Sequence, residues 1–145
     1  MTKPVYILNG PNLNMLGTRE TDVYGSQSLD DIADLCRARA KALGLEISFR
    51  QTNEEGELVN QVQEARDMAG AIILNAAAYT HTSVALHDAL RMADVPIVEV
   101  HLSNVYKREE FRHKSFVSPV AQGVICGFGA QGYELALDAV AKLIK

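Results

Sequence analysis

Glu99 and His101 stand two residues apart in the run Ile97-Val98-Glu99-Val100-His101. If that run is a strand, both side chains leave the same face. A carboxylate beside an imidazole fixes its tautomer and favours its protonated form, as a general acid requires. An ion pair covering a sheet edge is the plainer reading of the same residues. A second pairing, Arg19 with Tyr24, lies within one polar stretch. A phenol with a pKa of about 10 is a poor base, but a guanidinium held against it favours the phenolate. A surface tyrosine near a solvated arginine is the alternative. Asn12 and Asn75 each lie beyond the end of an apolar run. An asparagine there can orient hydroxyl groups or hold a water, although Asn9-Gly10-Pro11-Asn12 is also a turn signal in its own right. Arg108 and Arg112 would share one face of a helix and could meet an anionic or polyhydroxylated ligand. A solvated face with internal ion pairs accounts for them equally.

The elements that must position these groups follow from periodicity. Val5 to Leu8, Leu45 to Gln51, Ala71 to Leu74, Ile97 to His101 and Val124 to Cys126 read as five short strands. Between them, apolar residues recur at helical spacing. Ser28 and Gly44 bound a first helix carrying Leu29, Ile32, Ala33, Cys36, Ala40 and Leu43. Leu58, Val62, Ala65 and Ala69 mark a second helix stopped by Gly70, Ser83 caps a third, and a last helix runs from about Tyr133. Strands apolar on both faces and separated by helices predict an α/β fold. The expected architecture is a flavodoxin-like three-layer fold, with a five-stranded parallel sheet and helices on both faces. In such a sheet ligands bind at the carboxyl ends of the strands. That edge is where Asn12, Arg19, Tyr24, Asn75, His81, Glu99, His101, Ser103 and Arg112 would gather. Residues 102–123 form a long polar segment, and segments of that length are functional or pack on a partner.

Composition narrows the classes. The 145 residues, 48% hydrophobic and 22% charged, fit one ordinary catalytic domain over 1–145. A net charge of −4 disfavours nucleic acid and anionic membranes as partners. No membrane span and no leader signature is evident, so a cytoplasmic protein is expected. Cys36 and Cys126 read as two buried free thiols. Gly127-Phe128-Gly129-Ala130-Gln131-Gly132 spells a dinucleotide-binding pattern, but no strand with an acidic residue about 20 positions on follows it. These glycines are expected to shape a strand-to-helix turn. His81, His87, His101 and His113 have no metal-ligand spacing, so no metal is expected. No lysine sits at a strand end where it could be desolvated as an amine nucleophile.

Four separated motifs then carry a resemblance. They are Leu8-Asn9-Gly10-Pro11-Asn12-Leu13-Asn14 with Leu16 to Glu20 and Tyr24-Gly25; Asn75 to Ser83; Glu99 to Asn104 with Arg108 to His113; and Gly127 to Tyr133. Together they resemble the type II 3-dehydroquinate dehydratases over nearly the whole chain. The resemblance implies a cofactor-free hydro-lyase that converts 3-dehydroquinate to 3-dehydroshikimate in the shikimate pathway, by trans elimination through an enolate. By position it implies Tyr24 as the base, Arg19 as its activator and Asn12 as holder of an enolate-stabilising water. It also implies His101 as the acid, oriented by Glu99. Asn75, Leu102 and Ser103 would hold the substrate carboxylate, and Arg112 and His81 the ring hydroxyls. Asp88 would reach into a neighbouring subunit's site, within a homo-oligomer expected to be a dodecamer built from trimers. Thr21, Glu54, His87 and the pair Tyr106-Lys107 depart from the usual pattern, which bears on the lid and on subunit contacts. Two alternatives stand beside this reading: a flavodoxin-like binding module without chemistry, and a hydro-lyase for another cyclic acid.

Overall fold

A computed structural model of the protein describes residues 3–18 and 26–144. Arg19, Thr21 and Tyr24 therefore lie outside the described residues. Strands β1 (Val5–Asn9), β2 (Ile47–Gln51), β3 (Ala71–Asn75), β4 (Ile97–His101) and β5 (Gly123–Cys126) pair in parallel in the order β2-β1-β3-β4-β5. That is the order of the flavodoxin-like doubly wound fold.

The period of two decides what each face of the sheet meets. Val5, Ile7, Ala71, Ile73, Val98 and Val100 project into one apolar cluster, with α1 (Leu29–Leu43) and α4 (Gln131–Leu143) packed together over it. Tyr6, Leu8, Ile72, Leu74 and Ile97 project into the opposite cluster, beneath α2 (Glu55–Met68) and α3 (Val84–Arg91). The three central strands are buried at every position, which accounts for their continuous apolar runs. Each large side chain fully buried there contributes about 1.5–3 kcal/mol of transfer free energy.

Local chemistry sets the ends of the elements. Ser28 accepts from Asp31 N–H while the Asp31 carboxylate accepts from Ser28 N–H, so two orphan donors at the start of α1 are satisfied reciprocally. After Gly44, the Leu45 N–H returns to the Ala40 carbonyl at 2.8 Å. Leu45 therefore closes α1, and β2 begins at Ile47 rather than at Leu45 as the alternation suggested. Ser83 caps α3 by accepting from Leu86 N–H at 2.9 Å. Helix α4 starts two residues earlier than expected, at Gln131. Cys36 is buried, but Cys126 lies on the edge strand β5 and is only half-buried, correcting the expectation of two buried thiols. Residues 102–122 are not one open loop. They hold three short 3-10 turns, Val105–Lys107, Glu110–Arg112 and Ser118–Val120. Arg108 and Glu109 are extended between the first two, so Arg108 and Arg112 do not share a helix. Among the described residues no helix is long and apolar enough to cross a membrane.

Candidate active site

Strand order reverses between β1 and β3, and the crevice beyond their carboxyl ends is where a doubly wound sheet binds ligands. Asn9 and Asn75, the last residues of these strands, are register partners. Gly10 N–H then bonds to the Asn75 carbonyl at 2.8 Å. A Cβ on Gly10 would overlap the Ala76 carbonyl, so only glycine lets the two chain ends pass this closely. Immediately beyond, Asn12 (φ 69°) and Ala77 (φ 52°) occupy the left-handed region, and both line the cavity. Non-glycine residues in that region carry strain, which concentrates at functional sites.

A buried polar network supports this floor. Tyr133, fully buried on α4, donates its hydroxyl to Asn9 Oδ1 at 2.6 Å and accepts from Asn75 Nδ2 at 2.9 Å. Asn9 Nδ2 donates to the Arg50 carbonyl at 2.8 Å, and Asn75 Oδ1 accepts from Ala77 N–H at 3.2 Å. The Asn75 amide is thereby fixed: its oxygen is spent on backbone and one N–H on Tyr133. Burial drives the Tyr133 phenol upward, partly offset by the Asn75 hydrogen bond, so this tyrosine is a neutral structural donor.

The cavity above has a volume of about 130 Å³. It brings together Asn12, Asn75, His81, His101, Leu102, Ser103 and Arg112, from loops after β1, β3 and β4. Arg108 joins them, with apolar surface from Leu13, Met15, Leu16, Ala77 and Val105. Glu99 does not line the cavity; it sits behind His101, 1% exposed. Asp88 is exposed on α3 and is not among the lining residues.

His101 Nε2 donates to Glu99 Oε2 at 2.5 Å, leaving Nδ1 as the ring nitrogen free of the carboxylate. Ser115 donates to Glu99 Oε2 at 3.0 Å, and Ser118 donates to Oε1. Burial pushes the Glu99 carboxyl up, but the donors from His101, Ser118 and Ser115 outweigh it and hold the group below its ordinary 4.5. His81 stacks beside His101, with ring centroids 6.3 Å apart and planes 19° from parallel. Its Nδ1 donates to the Lys114 carbonyl at 2.7 Å. Burial pushes His81 below the ordinary 6.5, overriding the opposite pull of that bond. In the neutral ring the proton sits on Nδ1, which leaves Nε2 as an acceptor. Arg112 bonds Glu109 at 2.8 Å, and Arg108 donates to Ser103 Oγ at 3.3 Å. Cationic side chains, amides and a hydroxyl around a small cavity, in a chain of net charge −4, suit a small anion bearing hydroxyl groups. Among the described residues, no group of three or more His, Cys, Asp or Glu could hold a metal ion.

Ser115, Ser118 and Tyr133 escape sequence reasoning as parts of this constellation. The serines meet Glu99 from 16 and 19 residues away, and no period marks such a contact. The one available signal for Tyr133 is that β1 and β3 both end in asparagine at paired positions.

A model of the dehydroquinase class II family matches residues 3–141. The chain belongs to that family. Among class II dehydroquinases of known structure, the type II dehydroquinase from Propionibacterium acnes superposes with a TM-score of 0.94 at 42% identity, covering 98% of each chain. The 3-dehydroquinate dehydratase of Phenylobacterium zucineum is 58% identical over the full length of both chains. The 3-dehydroquinate dehydratase 2 of Pseudomonas aeruginosa is 58% identical over 98% of this chain and 96% of its own. Membership makes the chain a lyase. His87 donates Nδ1 to the Phe116 carbonyl at 2.6 Å. Tyr106 packs on His113 with centroids 5.7 Å apart.

Proposed function

We propose that the chain dehydrates 3-dehydroquinate to 3-dehydroshikimate, the step its named relatives carry out, within the shikimate pathway. The observation that carries the reading is the Glu99–His101 pair opening onto a cavity that Asn12, Asn75, His81, Ser103 and Arg112 also line. Elimination needs a base for the C2 proton, stabilisation of the enolate oxygen and an acid for the departing C1 hydroxyl. In this reading Tyr24, activated by Arg19, removes the C2 proton, and a water held by Asn12 stabilises the enolate. The enolate then collapses, forming the C1–C2 double bond. His101 protonates the C1 hydroxyl, which leaves as water. Asn75, whose remaining amide N–H is not engaged by Tyr133, binds the substrate carboxylate with Leu102 and Ser103. Arg112 and the acceptor Nε2 of His81 take the ring hydroxyls. The sequence of steps consumes no cofactor and needs no metal. Asp88, exposed on α3, serves a neighbouring copy's site in a dodecamer of trimers.

Turnover of 3-dehydroquinate by the purified protein, followed by the enone absorbance of the product, tests the reading. A folded, assembled sample that does not turn over refutes it. Tyr24→Phe is expected to abolish nearly all turnover while ligand binding persists, and retained activity moves the base elsewhere. Light scattering of the purified protein measures the assembly.

A further inference from the structure

We propose that Ser115 and Ser118 are positioning residues for the proton donor: their hydroxyls clamp both oxygens of the Glu99 carboxylate and so fix the ring of His101. The inference rests on the dehydratase reading, in which His101 is the acid.

The geometry of each hydroxyl is determined. Ser115 Oγ accepts from Val117 N–H at 3.0 Å and from Ser118 N–H at 2.9 Å. Both its lone pairs are therefore taken, and its proton goes to Glu99 Oε2 at 3.0 Å. Ser118 donates to Oε1. Glu99 receives His101 on the same oxygen as Ser115, so neither carboxylate oxygen is left without a donor in a site closed to solvent. A buried carboxylate lacking such donors neutralises instead, and a neutral Glu99 no longer holds an imidazolium in one orientation.

The segment that carries the serines is itself anchored on the side of residues 80–91. Phe116 N–H donates to the Thr80 carbonyl at 2.8 Å. His81 Nδ1 donates to the Lys114 carbonyl at 2.7 Å and His87 Nδ1 to the Phe116 carbonyl at 2.6 Å. Val117 is fully buried in the apolar cluster with Leu86 and Leu90 of α3. The strap thus lies across the face of β4 from which Ile97, Glu99 and His101 project. Among the described residues, His81 from the β3–α3 connection stacks beside His101 and interacts electrostatically with both members of the pair, Arg112 from the 3-10 turn Glu110–Arg112 acts on His81, and Arg108 and Arg112 line the same cavity. On the strap, Lys114 is exposed and stacks over Phe116.

Ser118→Ala is the cleaner test, since among the described residues the Ser118 hydroxyl meets only Glu99, whereas Ser115 also ties the turn. In the full-length protein Ser118→Ala is expected to lower kcat about tenfold, the cost of one hydrogen bond to a charged group, with KM changing less than about twofold. In an NMR titration observing the Glu99 carboxyl carbon and the His101 ring, its low-pH inflection is expected to move to higher pH. Ser118→Thr, which keeps the hydroxyl, restores both. Parent-like kcat with an unmoved inflection overturns the inference, and so does a kcat loss that threonine does not rescue and no inflection accompanies. Should Ser118→Ala misfold by near-UV circular dichroism, the parent titration decides: a Glu99 inflection in the ordinary carboxylate range overturns the clamp. An inactive parent refutes the dehydratase reading and takes the inference with it. An active parent with an indifferent Ser118→Ala refutes the inference alone.

Discussion

Tyr133→Phe removes one oxygen from the centre of the molecule, and the structure sets the cost. The ring stays, with its contact to Phe49 at 6.4 Å between centroids. What disappears is the acceptor of Asn75 Nδ2 and the donor to Asn9 Oδ1, both on residues no more than 3% exposed. Each buried polar group left unpaired costs about 1–3 kcal/mol, so the two together cost about 2–6 kcal/mol. In a domain of this size 1 kcal/mol corresponds to about 2–4 °C, which places the fall in melting temperature at about 4–24 °C. Calorimetry or urea unfolding at fixed protein concentration measures it. Asn9→Ala removes the partner oxygen, so the two changes combined are expected to be sub-additive by about 1 kcal/mol. The Asn75 amide also loses the contact that fixes it, and KM for the substrate should rise. A melting temperature within about 1 °C of the parent, with unchanged KM, would refute the claim that this network holds the floor of the site.

Three further outcomes follow from the same geometry. Glu99 is held below 4.5, so its contribution to stability is present above the unfolded value and disappears as pH falls through the folded one. The stability difference between parent and Glu99→Gln in urea titrations should therefore change with pH only on the acid side, and a constant difference from pH 7 to well below 4.5 contradicts it. Nitrogen NMR of His81 well above pH 6.5 should show a neutral ring protonated at Nδ1, and a proton on Nε2 instead would undo the assignment. Gly10→Ala drives a Cβ into the Ala76 carbonyl, which is backbone and cannot swing away. It should cost about 1–3 kcal/mol and lower kcat/KM, and a parent-like protein in both respects would show that the β1–β3 junction tolerates displacement.

Much of the scaffold is legible residue by residue. Ser28 and Ser83 announce their helices because a hydroxyl before an apolar stripe has an N–H to satisfy. Glu99 and His101 must share a face because a strand alternates. Boundaries are less legible where one residue serves two elements. Leu45 looks like strand from its alternation, yet its N–H is consumed in closing α1. Arg108 and Arg112 reach the cavity by a route that helical spacing did not describe, through two tight turns and an extended link. The serine clamp was illegible because a side-chain hydrogen bond across 16 or 19 residues leaves no periodic trace, and its donors look like any loop serine.

His81 has one proton and two uses for its ring. Nδ1 needs that proton to hold the Lys114 carbonyl, so a neutral ring leaves Nε2 bare. A ligand hydroxyl can donate to it, but a ligand carboxylate or ketone placed there would demand a donor. Supplying one requires the ring either to move its proton, abandoning the strap, or to take a second proton that its burial disfavours. Where a substrate hydroxyl meets Nε2, as proposed, the position would discriminate between functional groups of similar size through the cost of a distant rearrangement, a form of selectivity by penalty. By reciprocity, a ligand that satisfies Nε2 strengthens the hold on residues 114–118. On that reading, filling the cavity and holding the strap become one equilibrium.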